Sequence, residues 1–534
     1  MTPGDAAAAP AGEEGQQRRL AWATAIFAAA TALSRVAGLV REIIAAYYFG
    51  AAGRINAFTV AFQVPNLVRA LVADAALSSA FVPVFSDLLE KGERKRAWRV
   101  ASSLFWLLLL GLGGVTALFI VLAPWVIRPF GDPGGDRALA VGLARVLFPI
   151  VALLGVSGII VGILNSYDHF SVPALTPVFW NAVIILGLIL GVPNSDTINA
   201  KLYVYAVSVL AATIVQVLLP VPWLRGRDDR LRLVIDWRDP AVRRVLALMV
   251  PITVGLGLIN FNAVVDTLFA SRLIDPELSP NAIDKAFRLY MLPQGMFSVA
   301  VATVLFPLLS RLASRHAAAE FRHTVAVGLR QIAFLLVPAS VALAVLAEPV
   351  VRLVYQRGRF EPSQTPVVAA ALAAFCGGLT FNGAMLMLNR AFFSLQSNWI
   401  PTLVAVGNLA LNAGLDAAFY SFGTWGIPLA TSVVNIAGTA ALIVLLRRRI
   451  GRIEFAETVA ATARIVLASA ALAAVAFGIW YGLDRGLGRS FGGQVVSVFV
   501  ALGAGAAVYL TACRALGVRE IEALLSLRAR FRRA

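Results

Sequence analysis

Four arginines stand inside apolar stretches of this chain: Arg35, Arg41, Arg69 and Arg288. Guanidinium stays charged and holds phosphate through two parallel hydrogen bonds. Facing lipid at a helix centre, each would cost about 2.5–3.5 kcal/mol, and four would cost on the order of 10 kcal/mol. They must therefore face water, an acidic partner or an anionic ligand. Arg35 and Arg41 stand about 120° apart around an ideal helix, and Gly38 between them allows a bend. Arg69 follows Pro65-Asn66 and Arg288 precedes Pro293, so both sit near expected kinks. Structural roles compete with this reading. Asp284 has the right spacing to pair with Arg288, Asp74 has a poor spacing for Arg69, and Glu42 adjoins Arg41 without facing it. An arginine-lined cavity is the stronger reading, and it favours a phosphate-bearing substrate over a cationic one.

Two carboxylates are embedded as well. Asp266 follows Asn260 and Asn262, and Asp416 follows Asn412. Asn412 and Asp416 share a helix face, and Thr431 in the next span can bring a hydroxyl close. Carboxylate, amide and hydroxyl oxygens suit a hard cation such as sodium. A proton relay and plain polar packing are the other two readings. Chemistry of other kinds lacks its residues. There is no HExxH, P-loop, CxxC or nucleophile elbow, and His169, His316 and His323 are isolated. An enzyme is not expected, nor ATP-driven pumping within this chain. Cys376 and Cys513 sit in apolar runs and read as small core residues.

The elements that carry these residues must cross a membrane. Of 534 residues 59% are hydrophobic and only 14% charged, with a mean hydropathy of +0.80. Soluble domains run about 45–50% apolar and about 25% charged. An all-α, polytopic membrane protein of about fourteen spans follows. The first is expected at 20–48, the second at 56–88, the fourth at 138–165, the seventh at 242–272, the eighth at 282–312 and the ninth at 323–348. Residues 1–17 read as a disordered tail. Arg18-Arg19 before an apolar run imitates a signal peptide, but the run continues without a cleavage region.

A net charge of +17 would suggest nucleic acid in a soluble protein, but here it belongs to the loops. Lys91–Arg99 carries five Lys/Arg, Arg225–Arg244 seven, Arg447–Arg452 four and the tail Arg514–Arg533 six. The alternate loops are poorer, except for Val350–Thr365. Both termini are therefore expected in the cytoplasm. The tail, with Leu524, Leu525 and Leu527 among arginines, can lie on an anionic leaflet or act only as a topology signal. Pro83-Val-Phe-Ser86 recurs as Pro307-Leu-Leu-Ser310, and Pro173 with Asn181 recurs as Pro401 with Asn408. Two six-helix lobes, 18–225 and 242–447, are expected as parallel copies. Two further helices fill 448–514, and a basic tail covers 515–534. Repeated halves favour a transporter.

The segment Ser34–Glu42 (SRVAGLVRE), then Phe49-Gly50-Ala51, Ala57–Phe62 (AFTVAF) and Pro65–Arg69 (PNLVR), resembles the start of the MurJ (MviN) family of lipid II flippases. Ala80–Ser86 (AFVPVFS), Arg288-Leu289-Tyr290 with Pro293, Thr303–Pro307 (TVLFP) and Gln356–Phe360 (QRGRF) extend the resemblance over nearly the whole chain. The resemblance implies an alternating-access transporter of the MOP superfamily in the cell membrane. Its cargo would be lipid II, the undecaprenyl-diphosphate-linked peptidoglycan precursor, moved to the outer leaflet for wall synthesis. Membrane lipids and wall-synthesis proteins would be its partners, with no nucleic acid and no cofactor other than a coupling sodium ion. It also implies a substrate site at Arg35, Arg41, Asn66, Arg69 and Arg288. A sodium site is implied at Asp266, Asn412, Asp416 and Thr431, and a groove for the lipid tail along the last two helices. Two departures stand out. A family aspartate is Asn56 here, and an acidic position after the eighth-span arginine is Met291. An ion pair of the outer gate is missing or rebuilt, and Asn56 and Glu42 are the candidate gating residues. A flippase for another lipid-linked glycan, a cationic-drug exporter and a non-transporting scaffold are the rival readings.

Overall fold

The computed structural model describes residues 11–72, 75–167, 169, 171–397, 399–451 and 454–521; for 11–28, 69–72, 75–79, 250–259 and 455 it describes the backbone alone. The basic tail beyond Ile521, with Leu524, Leu525 and Leu527, lies outside them. Among the described residues every regular element is helical. That is what an apolar chain must do where no water can take its backbone hydrogen bonds. Among the described residues, eleven helices are long and apolar enough to cross a membrane. The other three expected spans are helical too, at Ala11–Phe49, at Ile55–Val72 with Ala75–Glu90, and at Pro240–Phe269. Each of these three contains side chains outside the described residues. The first helix starts at Ala11, before the expected span.

Several spans are less regular than hydropathy suggests. The second is helical over Ile55–Val72 and again over Ala75–Glu90, with Pro65 and Pro83 inside those helices. The fourth divides at Phe148-Pro149 into Arg137–Leu147 and Pro149–Ser166, since proline cannot donate inside a helix. The eighth runs Ser279–Pro293, widens to a π-turn over Gln294–Ser298, and continues as Val299–Ser314. The loop expected after the ninth span contains a nine-residue helix, Ala347–Tyr355. It is too short and too charged to register as a span, and its burial comes from packing alone.

The described residues form two compact units. One takes those within Met1–Ile44, Val64–Val126 and Val141–Gly257; the other takes Ala45–Gln63, Ile127–Ala140 and Leu258 onward. The first has an aromatic centre in which Phe81 stacks on Phe85, and Phe85 meets Trp98 edge-on. In the second, Phe455–Leu487 and Phe491–Ala515 pack against Ala318–Val345 through Leu472, Ala476, Ala501 and Phe334. Tyr509 donates to the Phe334 carbonyl at 2.6 Å. At one end of this packing the buried Arg330 meets Glu520 at 3.1 Å and Glu454 at 3.5 Å.

Candidate functional site

In the first unit, Arg41 is held on three sides. Its Nη1 donates to Asn181 Oδ1 at 3.0 Å, its Nη2 pairs with Glu42 at 2.6 Å, and its guanidinium lies 4.9 Å from the Trp180 ring centre. Arg41 and Glu42 are both buried. The expectation that neighbours on a helix do not face each other fails here. Both side chains are long enough to meet, and pairing lowers the cost of burying the two charges. Asn181 in turn donates to the Ser34 and Pro177 carbonyls. Gly38 faces Asn181, and a Cβ there would make an ordinary contact with its Oδ1 at 3.8 Å. Arg35 and Asn66 are half-buried. The side chains of Arg69 and Asp74 lie outside the described residues. Trp180 was not singled out by the sequence; Asn181 was, but only as a repeat marker.

In the second unit, Arg288 pairs with Asp284 at 3.3 Å, as the four-residue spacing predicts, and its side chain is 40% exposed. Asn412 joins the two embedded carboxylates. Its Nδ2 donates to Asp266 at 2.7 Å and to Asp416 at 2.9 Å. Asn262 adds a longer bond to Asp266. Asn412 and Asp416 are fully buried, yet Asn412 Oδ1 and Asp416 Oδ1 accept nothing from the protein. Thr431 turns its hydroxyl to the Ile427 carbonyl at 3.3 Å but lines the same cavity as Asp266 and Asn412. Two free, buried oxygens beside carboxylates fit a hard cation.

Asn56 is fully buried at the start of Ile55–Val72. Its Nδ2 reaches the Ala51 and Gly53 carbonyls at 3.1 Å and the Glu277 carbonyl at 2.5 Å. Its Oδ1 accepts from Asn281 N at 2.8 Å, and Asn281 Nδ2 donates to Thr59 at 2.8 Å. Gly53 N also donates to Glu277 O, and Gly134 N to Pro276 O. A neutral amide thus fastens the start of the second span to the start of the eighth. Nearby, Tyr47 O accepts from Arg359 N and Gln364 Oε1 accepts from Ala51 N. The contact requires glycines. Gly50 and Gly358 have positive φ, and a Cβ on either would press on the backbone opposite, at Arg359 O or Tyr47 O. This accounts physically for the Phe49-Gly50 and QRGRF motifs.

Comparison with known proteins agrees with this architecture. The family described as Lipid II flippase MurJ matches residues 45–492. A Vibrio cholerae protein described as a probable lipid II flippase MurJ is 30% identical over 519 residues, covering 94% of this chain and 97% of its own. A Burkholderia cenocepacia lipid II flippase MurJ is 30% identical over 431 residues, covering 78% and 82%. Among solved structures, lipid II flippase MurJ in an inward closed conformation aligns with a TM-score of 0.74 at 24% identity, covering 91% and 97%. An inward-facing multidrug resistance MATE transporter of the MOP superfamily aligns at 0.66 with 16% identity, covering 78% and 94%.

Proposed function

The chain belongs to the lipid II flippase MurJ family, and on that premise we propose how its residues move lipid II by alternating access from the cytoplasmic to the outer leaflet. It is a multi-pass membrane transporter, not an enzyme. The observation that carries the residue assignment is Arg41, a buried cation held by one carboxylate, one amide and one indole. A diphosphate offers that guanidinium a stronger, bidentate partner than Glu42 does. Arg35, Arg69, Arg288 and Asn66 are the further groups proposed to hold the diphosphate and its neighbours. The isoprenoid stays in lipid, along the last two helices.

The loop charges support a cell-membrane orientation with both termini in the cytoplasm. Glycosylation or cysteine labelling of the tail from outside would refute it. In that orientation the Asn56 latch closes the outer side. Opening requires its bonds to part while Glu42 holds the charge of Arg41. An anion moving outward across an inside-negative membrane gains about 2.3 kcal/mol per charge per 100 mV, enough to bias direction without ATP. Asp266, Asn412, Asp416 and Thr431 would hold sodium through the free oxygens described above. When bound, it would offset one of the two buried carboxylate charges.

The test is depletion in the native cell, with labelling of lipid II on the outer leaflet. Wild type should restore the signal, and Arg41→Ala should not, although it is inserted at normal levels. Full rescue by Arg41→Ala would refute the arginine site. An unchanged outer signal on depletion would refute the cargo.

A further inference from the structure

The second unit contains a cavity of about 420 Å³, reaching from Asp266 and Asn412 to Asn389 and Pro401. At roughly 30 Å³ per water it has room for on the order of a dozen waters, far more than one bare ion requires. Its polar lining is chemically one-sided. The amide nitrogens of Gln63, Asn262, Gln294, Asn382, Asn408 and Asn412 all donate to neighbours within the protein. The amide oxygens of Gln294, Asn389 and Asn412 are buried and accept nothing from it. Asn412 is itself fully buried. Among the described residues no lysine or arginine lines the cavity, whereas Asp266 and Asp284 do. The buried atoms of this lining left without a partner are therefore amide oxygens, in a cavity walled by two carboxylates. Buried acceptors left unmatched cost about 1–3 kcal/mol each, so a ligand rich in N–H donors is favoured over one rich in lone pairs.

The free oxygens lie at two levels. Asn408 Nδ2 stands 3.5 Å from Met385 Sδ, which puts those two residues side by side. The helices Gln364–Ser394 and Trp399–Phe419 are consecutive and joined by a short turn, so they run antiparallel. Asn389 and Asn412 are each four residues beyond that level, in opposite directions. At 1.5 Å per residue their levels differ by about 12 Å. Phe287, Phe375 and Leu386 add apolar surface to the same cavity. The anion-pairing group is adjacent, since Asp284, on the wall, is the partner of Arg288.

We propose that this cavity binds an alkylammonium, with the ammonium at Gln294 Oε1 and a second N–H donor of the ligand at Asn389 Oδ1. The amino-bearing side chain of a stem peptide has this chemistry, and so has a free organic cation. The first source rests on the flippase reading above.

The test uses the full-length chain in lipid nanodiscs, in sodium-free potassium buffer. The probes are Nα-acetyl-lysyl-D-alanyl-D-alanine, its Nε-acetylated form and n-butylammonium. Binding of Nα-acetyl-lysyl-D-alanyl-D-alanine should weaken at least about tenfold on Nε-acetylation, the scale of one lost hydrogen bond to a charged group, and about fivefold in Asn389→Leu, the scale of one lost neutral bond. Asn389→Asp, which adds a carboxylate without changing size, should tighten it. Equal affinity for amine and acetyl-amine, or indifference to both Asn389 substitutions, overturns the proposal. Reconstituted flipping then separates the sources. If the stem peptide is the ligand, lipid II with an Nε-acetylated stem moves several-fold more slowly than lipid II with the free amine. Equal rates alongside n-butylammonium binding assign the cavity to a free organic cation. If lipid II of neither kind moves, the flippase reading fails, while the amine-binding result stands by itself.

Discussion

Replacing Asn56 with Asp tests whether the latch works because it is neutral. The two N–H hydrogens of Asn56 are shared among three carbonyls, at 3.1, 3.1 and 2.5 Å. Asn56→Asp keeps the shape and the bond accepted from Asn281, but turns a lone-pair oxygen toward those carbonyls. Two donated bonds are lost, at about 1 kcal/mol each, and the orphaned carbonyls and the buried charge add to the cost. About 3 kcal/mol in total is expected, which raises the unlatched population roughly a hundredfold. The assay uses Ser279→Cys as a reporter, with Cys376 and Cys513 replaced by alanine. Ser279 is fully buried next to this contact and bonds Thr424 at 2.7 Å. Its labelling by a small thiol reagent should accelerate by about two orders of magnitude in Asn56→Asp at neutral pH. The introduced carboxyl is buried, so its ionised form is disfavoured in the latched state. The penalty is therefore present at neutral pH and is relieved as pH falls and the carboxyl regains one donor. The ratio of variant to parent rates should shrink in parallel. Identical rates and identical Tm at neutral pH would refute a neutral-latch mechanism.

Two further outcomes follow from separate parts of the molecule. If Asp266, Asn412, Asp416 and Thr431 hold sodium, exchanging potassium for sodium should raise Tm, by an amount equivalent to about 2.7 kcal/mol at a hundred times Kd. Asp416→Asn should abolish that rise, and a sodium effect that survives the substitution would move the site elsewhere. At the Arg330 cluster, the bond to His323 and the charge of Arg330 hold the Glu454 carboxyl below its ordinary value of 4.5. Its stabilising effect is therefore present above that value and disappears as pH falls through the lower, folded-state value. The Tm difference between wild type and Glu454→Gln should be positive at neutral pH and vanish in acid, and a difference that persists in acid would contradict the pairing.

Hydropathy, loop charge and a few motifs determined the class of this protein, because lipid imposes one rule along the whole chain. Apolar runs must be helical, and their charges must be functional or at their ends. The cost of intramembrane charge likewise marked Arg41, Arg288, Asp266 and Asp416, helical spacing paired Asn412 with Asp416, and the family resemblance joined Asp266 to them before any contact was known. Tertiary structure decided which groups meet. Arg41 pairs with the neighbour that helical geometry had excluded, because a buried charge takes the partner within reach. Asn56, read from the sequence as a departure that removes a charge, has four hydrogen-bonded contacts spread over more than two hundred residues of chain. The cavity acceptors of Gln294 and Asn389 are equally invisible in sequence. An asparagine or glutamine in an apolar span reads the same whether its oxygen is bonded or free, and only the packing of six separate spans determines which.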